Sequence, residues 1–232
     1  QTVGTYLADF QPSAFALIDL TAYHSQYLGT RHLKEEIRER FPDSHSFLYK
    51  GDVFLFLYKD CDAVIFAELV GEFGLKVIIS EAIRDLYDLP VLYRAARDAL
   101  NMIIASNYHG ENVCSVSQLR TPLLLKNLES RGDLISPELR ALAEHDRKKE
   151  TQYCETLYFY LIYSHSLKKT CDALFTHRNT VLYRIGRIRD DFLIPLDDPE
   201  RYTELLLGTA ILLFQNEGPD FFLRTMPQTD DK

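Results

Sequence analysis

Tryptophan is absent from these 232 residues, and cysteine is sparse: Cys61, Cys114, Cys154 and Cys171 stand far apart, with no C-x-x-C pair. That scarcity excludes a disulfide framework, makes a zinc centre an unexpected feature, and points to buried thiols in a reducing, cytoplasmic compartment. No apolar run reaches the roughly 18 residues of a membrane-spanning helix, and no charged segment leading into a short apolar one marks a signal peptide. Opening on Gln1 rather than Met, the chain leaves room for further sequence upstream. Fourteen Tyr and fourteen Phe are enough to build real cores, and the length suits two ordinary domains.

Positive charge is also in short supply, with 26 Lys and Arg against 34 Asp and Glu, a net charge of −8. What there is gathers in one place. Residues 164–190 hold Lys168, Lys169, Arg178, Arg184, Arg187 and Arg189 against Asp172 and Asp190, so this segment is +4 and the remainder −12. A local basic surface on an acidic protein suits a phosphate backbone, because each neutralised phosphate releases condensed counterions while the acidic remainder limits nonspecific adhesion. The segment 166–192 reads as a helix-turn-helix. Ser166 is expected to cap a first helix carrying Leu167, Ala173, Leu174 and Phe175, and Thr176 to cap a second. At about 100° per residue, Val181, Ile185, Ile188 and Phe192 share one face of that second helix, with Leu182 at its edge. Asn179, Thr180, Tyr183, Arg184 and Arg187 share the other.

Upstream, the pattern predicts strands at 14–20, 45–50, 53–58 and 75–79 and helices at 30–41, 62–72 and 89–107, with Gly51-Asp52 as a hairpin turn. This β-α-β-β-α-β-α order describes an α/β sandwich over residues 1–109 with a mostly antiparallel sheet. Residues 110–121 read as a linker. Helices are expected at 122–130, 137–149, 150–163, 166–175, 177–192 and 199–216, with Ser136-Pro137 and Asp198-Pro199 as start signals. Residues 217–232 read as a C-terminal tail.

His177-Arg-Asn-Thr-Val-Leu-Tyr-Arg184, preceded by Ala173-Leu174-Phe175 and followed by Ile188 and Leu196-Asp-Asp-Pro199, closely resembles the C-terminal helix-turn-helix of PucR/CdaR-type bacterial transcriptional regulators. Glu144-His-Asp146 and Thr156-Leu-Tyr-Phe-Tyr-Leu161 extend the likeness upstream, so that it covers about 136–214. The first domain resembles that family's companion, a degenerate GGDEF-like domain, with Lys50-Gly51-Asp52-Val53-Phe54 on the hairpin and Asp19 at the end of the first strand. Lys50 replaces the first glycine of the cyclase motif, and Val53 replaces its catalytic glutamate, a side chain that neither binds a cation nor moves a proton. The resemblance therefore implies no catalytic residues, no cofactor and no metal. Asp19 and Asp52 read more simply as a strand-end and a turn aspartate than as a cation site, and no side-chain constellation within 1–110 marks a ligand site.

The function implied is an effector-responsive DNA-binding activator of catabolic genes, such as those for purines or sugar diacids, active as a homodimer or larger assembly without a membrane. His177, Arg178, Asn179 and Thr180 would approach phosphates or base edges from the recognition-helix N-terminus. Tyr183, Arg184 and Arg187 would reach the major groove, and Lys168 and Lys169 would anchor the backbone. If Arg184 reads a base, its removal weakens specific binding by about 1–3 kcal/mol. Arg178 also fits an ion pair inside the domain, and His177 a packing role. Two other readings compete: a nucleotide-handling enzyme, which Lys50 and Val53 oppose, and a protein-binding bundle whose basic helix meets an acidic partner.

Overall fold

The computed structural model describes residues 11–21, 29–42, 44–58, 63–105 and 111–224. The chain divides into two compact units, Gln1–Leu123 and Leu124–Lys232.

The first unit runs β1 Ala14–Asp19, α1 Gly29–Arg40, β2 His45–Tyr49, β3 Asp52–Leu57, α2 Ala63–Phe73, β4 Lys76–Ile79, α3 Leu89–Ala105 and β5 Val113–Ser115. Its sheet has the order β2-β3-β1-β4-β5, antiparallel except for the β4–β5 pair. The first four strands with α1 and α2 form a split β-α-β sandwich. Side chains on both faces of the central strands β1 and β3 are buried, which is why Phe15-Ala-Leu-Ile18 and Val53-Phe-Leu-Phe-Leu57 are continuously apolar rather than alternating. Side chains two apart share a face. Ala16, Ile18, Val53, Leu55 and Val77 meet Leu33 and Ile37 of α1 and Phe66 and Leu69 of α2. The opposite face carries Phe15, Leu17, Phe54 and Phe56, and α3 packs on its β4 and β1 part.

The hairpin turn is Lys50-Gly51 rather than Gly51-Asp52. Both residues have positive φ, 52° and 94°, as a two-residue turn matched to strand twist requires, and Tyr49 pairs with Asp52. The expected linker also needs correction. Val113–Ser115 joins the sheet beside β4, with Cys114 buried, and Arg120–Leu128 is already helical (α4). Three residues are too few for a periodic pattern, so the open edge of β4, not local sequence, makes this strand.

The second unit is helical: a short 3-10 segment Glu129–Leu134, then α5 Pro137–Lys149, α6 Tyr153–Ile162, α7 Leu167–Leu174, α8 Arg178–Asp191, α9 Tyr202–Glu217 and α10 Pro219–Arg224. Ser136 holds the N-cap position of α5 with Pro137 at its start, but its side chain makes no capping bond. Three boundaries differ. Glu150 closes α5 in a left-handed conformation (φ 53°), so α6 begins at Tyr153. Asp198-Pro199 forms a turn, with the Glu200 N–H donating to the Asp198 carboxylate at 3.0 Å, and α9 starts three residues beyond the proline. Within the expected tail, Pro219–Arg224 folds back as a helix whose Phe222 is buried against Tyr158, Phe214 and Phe221. Cys114 and Cys154 are buried and Cys171 is half-buried; Cys61 lies outside the described residues. Among the described residues no helix is long and apolar enough to cross a membrane.

Candidate nucleic-acid interface

Three helices build the site. α6 is the buried support, with Tyr153, Cys154, Thr156, Leu157, Phe159 and Leu161 inside, and α9 packs across it, Tyr202 donating to the Leu161 carbonyl. α7 and α8 pack on α6 and on each other. α7 ends in a Schellman-type closure: Phe175 has φ 49°, and Thr176 N–H donates to the Cys171 carbonyl at 3.0 Å. This reversal uses one more residue than expected. Thr176 therefore does not cap α8; its hydroxyl donates to the Leu174 carbonyl, and His177 is the N-cap residue, with φ −66° and ψ 147°. Ser166 holds the N-cap position of α7, but its side chain makes no capping bond.

Phe175, expected as the last residue of the first helix, lies just past its end and is 97% exposed. A left-handed backbone costs an L-residue about 1–2 kcal/mol, part of which glycine returns through its freer unfolded chain. Phe175→Gly is accordingly expected to stabilise the helical unit by up to about 1 kcal/mol, read as a rise in urea midpoint at unchanged m-value.

On α8, Val181, Ile185 and Ile188 are buried, and Phe192 beyond its end makes an edge contact with His145. The opposite side is open. His177, Arg178, Asn179, Thr180 and Arg187 are exposed, as are Lys168 and Lys169 on α7, and Tyr183 is 60% exposed. Leu182, placed at the edge of the core face, is 44% exposed. Arg178, Lys168 and Lys169 form no ion pair among the described residues, so the alternative of an internal partner for Arg178 finds no support. Arg187 pairs with Asp191 at 2.6 Å, and Arg189 with Asp190 at 2.8 Å. Both pairs are solvent-exposed, a class worth little and readily exchanged for another anion.

Arg184 departs from this set. Its guanidinium turns inward, donating from Nη1 to the Thr156 hydroxyl at 3.1 Å and from Nη2 to the Gln152 side-chain oxygen at 2.9 Å. Thr156 is fully buried and its hydroxyl donates in turn to the Gln152 carbonyl. Arg184 thus ties the middle of α8 to the first turn of α6. Gln152 carries no mark in the sequence and Thr156 only its place in the family string, since nothing in their spacing identifies them as partners of a residue 32 and 28 positions away.

Asp146, which the sequence marks only as part of a family string, organises the support. Its carboxylate accepts from the N–H groups of Tyr153 (2.9 Å) and Cys154 (2.7 Å) and from the Thr151 hydroxyl, capping α6 from the preceding helix. His145 beside it stacks on Tyr153 at 5.3 Å. Asp146→Ala strands three donors and is expected to cost about 2–3 kcal/mol in equilibrium urea unfolding.

Glu155 lies on the same helix, half-buried, and its pKa is raised above the ordinary 4.5, first by burial and then by Glu217, with Arg184 opposing. A raised folded pKa means that this group's stabilising contribution is complete below about 4.5 and is lost as pH rises through its folded value. Glu155→Gln is therefore expected to raise Tm at pH 7, with the gain vanishing below about pH 4; melts across that range check the sign.

In the first unit, Asp52 is buried and ion-paired with Arg97 of α3. One step beyond the Ile18↔Val53 register, Asp19 comes opposite Asp52, and it accepts from the Thr21 hydroxyl. Burial raises the Asp52 pKa, Arg97 lowers it less, and Asp19 adds to the rise. The positive charge beside these two carboxylates is thus a guanidinium. Among the described residues no group of three or more His, Cys, Asp or Glu side chains is arranged to hold a metal ion.

A short helix, a tight reversal and a second helix with one buried and one exposed cationic face, braced by α6 and α9, define a helix-turn-helix module. Residues 153–211 match the PucR C-terminal helix-turn-helix domain, so the second unit carries the helix-turn-helix of PucR-type regulators. The chain is 25% identical over 223 residues to the proline-responsive transcriptional activator PutR of Bacillus subtilis (strain 168), covering 87% of this chain and 54% of that protein. It thus spans about half the length of this curated relative. The crystal structure of a regulator of polyketide synthase expression from Bifidobacterium adolescentis is a distant likeness, with a TM-score of 0.42 and 17% identity over 93% of this chain and 86% of that one.

Proposed function

We propose that this chain is the regulatory and DNA-binding part of a cytoplasmic, effector-responsive transcriptional activator of catabolic genes that reads duplex DNA as a homodimer or larger assembly. The observation that carries the reading is the split of α8 into a buried face of Val181, Ile185 and Ile188 and an exposed face that begins at an uncapped helix N-terminus. Free N–H groups there favour phosphate, and His177, Arg178, Asn179 and Thr180 flank them. Asn179 and Tyr183 are assigned to base edges and neighbouring groove walls, and Arg178, Arg187, Lys168 and Lys169 to phosphates. Arg184 is a positioning residue that holds the angle of α8. One module offers few contacts, so two copies on half-sites about 34 Å apart supply the specificity. The similarity to a proline-responsive activator supports regulation by a small molecule.

Residues 1–109 act in this reading as a GGDEF-like regulatory domain without cyclase activity, since Lys50 and Val53 stand at the two critical motif positions and Arg97 neutralises Asp52. The helix-turn-helix 166–192 within 122–216 is the output. Selection of bound duplexes from a random pool by the whole chain tests the function. Enrichment of one motif, with affinity falling steeply as salt rises, is expected. Binding to acidic proteins but to no duplex would make the bundle a protein-binding surface instead.

A further inference from the structure

Helix α3 covers only part of its sheet face. It packs on β4 and β1, and beyond it the β3–β2 half of that face opens into a groove of about 760 Å³. Phe47, Phe54 and Phe56 make the floor, their rings 4.9–6.1 Å apart, and Tyr49 and Tyr93 meet edge to face at 5.1 Å along one side. Phe47 and Tyr49 remain 44% and 42% exposed, a large apolar surface for an acidic protein to leave in water. The rim is cationic. Lys50 Nζ lies 5.4 and 5.7 Å from the Tyr49 and Tyr93 ring centres, and Arg94 and Arg97 project from α3, with Asp98 as the acidic lining residue. Arg97 is committed to Asp52, whereas Lys50 and Arg94 form no ion pair among the described residues.

Two details point to a ligand rather than to an idle surface. Tyr93 lines the groove, and its hydroxyl is buried with no hydrogen-bond partner among the described residues, a costly state that an acceptor in the groove would relieve once the side chain turns toward it. Lys50 occupies a positive-φ turn position that asparagine or glycine fills at less cost, and its side chain returns over the aromatic wall. Strain of this kind concentrates where a side chain is needed. We propose that this groove is the binding site of a small carboxylate with an aromatic or branched apolar body. The apolar part lies on Phe47, Phe54 and Phe56, and the carboxylate accepts from Tyr93 and pairs with Lys50 and Arg94. Asp98 leaves room for an ammonium group on the same ligand. Its role as an effector site rests on the DNA-binding reading; binding itself does not.

Titration of the purified whole chain by protein-observed NMR without DNA tests the site, using phenylacetate, L-phenylalanine, 2-phenylethanol and 2-phenylethylamine as probes. At least one of the two acids is expected to bind saturably with a Kd on the order of 1 mM or tighter, and the alcohol and amine about tenfold or more weakly. Preference for phenylacetate identifies a simple carboxylate; preference for phenylalanine, abolished by Asp98→Asn, identifies an amino acid. Lys50→Asn keeps the turn, because asparagine tolerates positive φ, and together with Arg94→Gln is expected to weaken the acid by about tenfold or more. Lys34→Gln, on α1 across the sheet, should leave it unchanged. Equal binding of acid and alcohol, no saturable binding of either acid, or an unchanged Kd in the Lys50 and Arg94 variants would overturn the proposal. A separate mobility-shift titration with and without the bound acid reads the effector role, so that failure of DNA binding and failure of this site are told apart.

Discussion

The double variant Lys168→Glu/Lys169→Glu is expected to lose about a hundredfold or more in affinity for duplex DNA near 0.1 M salt, to the same extent on a preferred and on a scrambled sequence. Each lysine that neutralises a phosphate contributes about 0.9 to the slope of log affinity against log salt, so that slope should fall by about 2. The change is electrostatic and uniform because a phosphate contact carries no sequence information. Both side chains are exposed and sit in the first turn of α7, so the fold is expected to survive, which a far-UV spectrum and an unchanged melt would verify. Loss confined to one sequence would make these lysines base readers, and no loss would remove α7 from the interface.

The second large effect is at Arg184. Its side chain bridges a buried hydroxyl and an amide on α6, so Arg184→Ala leaves both acceptors without their donor and is expected to cost about 2–3 kcal/mol of stability. DNA affinity should drop by a similar factor on every sequence, because the angle of α8 relaxes rather than one contact being lost. Arg184→Lys should fail to restore either property, since an ammonium does not span two acceptors as the planar guanidinium does. A base-reading Arg184 behaves oppositely: stability unchanged, discrimination reduced by about 1–3 kcal/mol at one position. Urea unfolding and paired binding curves on two duplexes separate these outcomes.

The contrast between Arg184 and its neighbours marks what the sequence allowed to be read. Val181, Ile185 and Ile188 were legible because a 3.6-residue period is written into the order of the side chains. The same wheel placed Arg184 with Tyr183 and Arg187, as angle alone must. Which cations near the edge of that face turn inward depends on what lies opposite, and here Gln152 and Thr156 lie opposite, supplied by a helix earlier in the chain. Phe175 differs for a related reason: a helical pattern does not show where the backbone turns left-handed, and the chain reverses at that residue, so the helix expected to reach it ends at Leu174. Strand β5 and helix α10 are built by open edges and aromatic neighbours, not by any period of their own. The α/β order of the first unit is legible nearly whole, yet its aromatic groove is not, because it exists only where side chains of α3 and of β2 and β3, some forty positions apart, come to line one space.

The central claim, that the exposed face of α8 reads DNA sequence, is tested most directly by the ratio of affinities for a selected duplex and its scrambled counterpart, measured at one salt concentration for the whole chain and for Asn179→Ala/Tyr183→Ala. The account predicts a ratio of about a thousand or more for the unaltered chain, falling toward one in the double variant while scrambled-duplex affinity changes little. A ratio near one in the unaltered chain, or a large ratio that survives the substitutions, would contradict it.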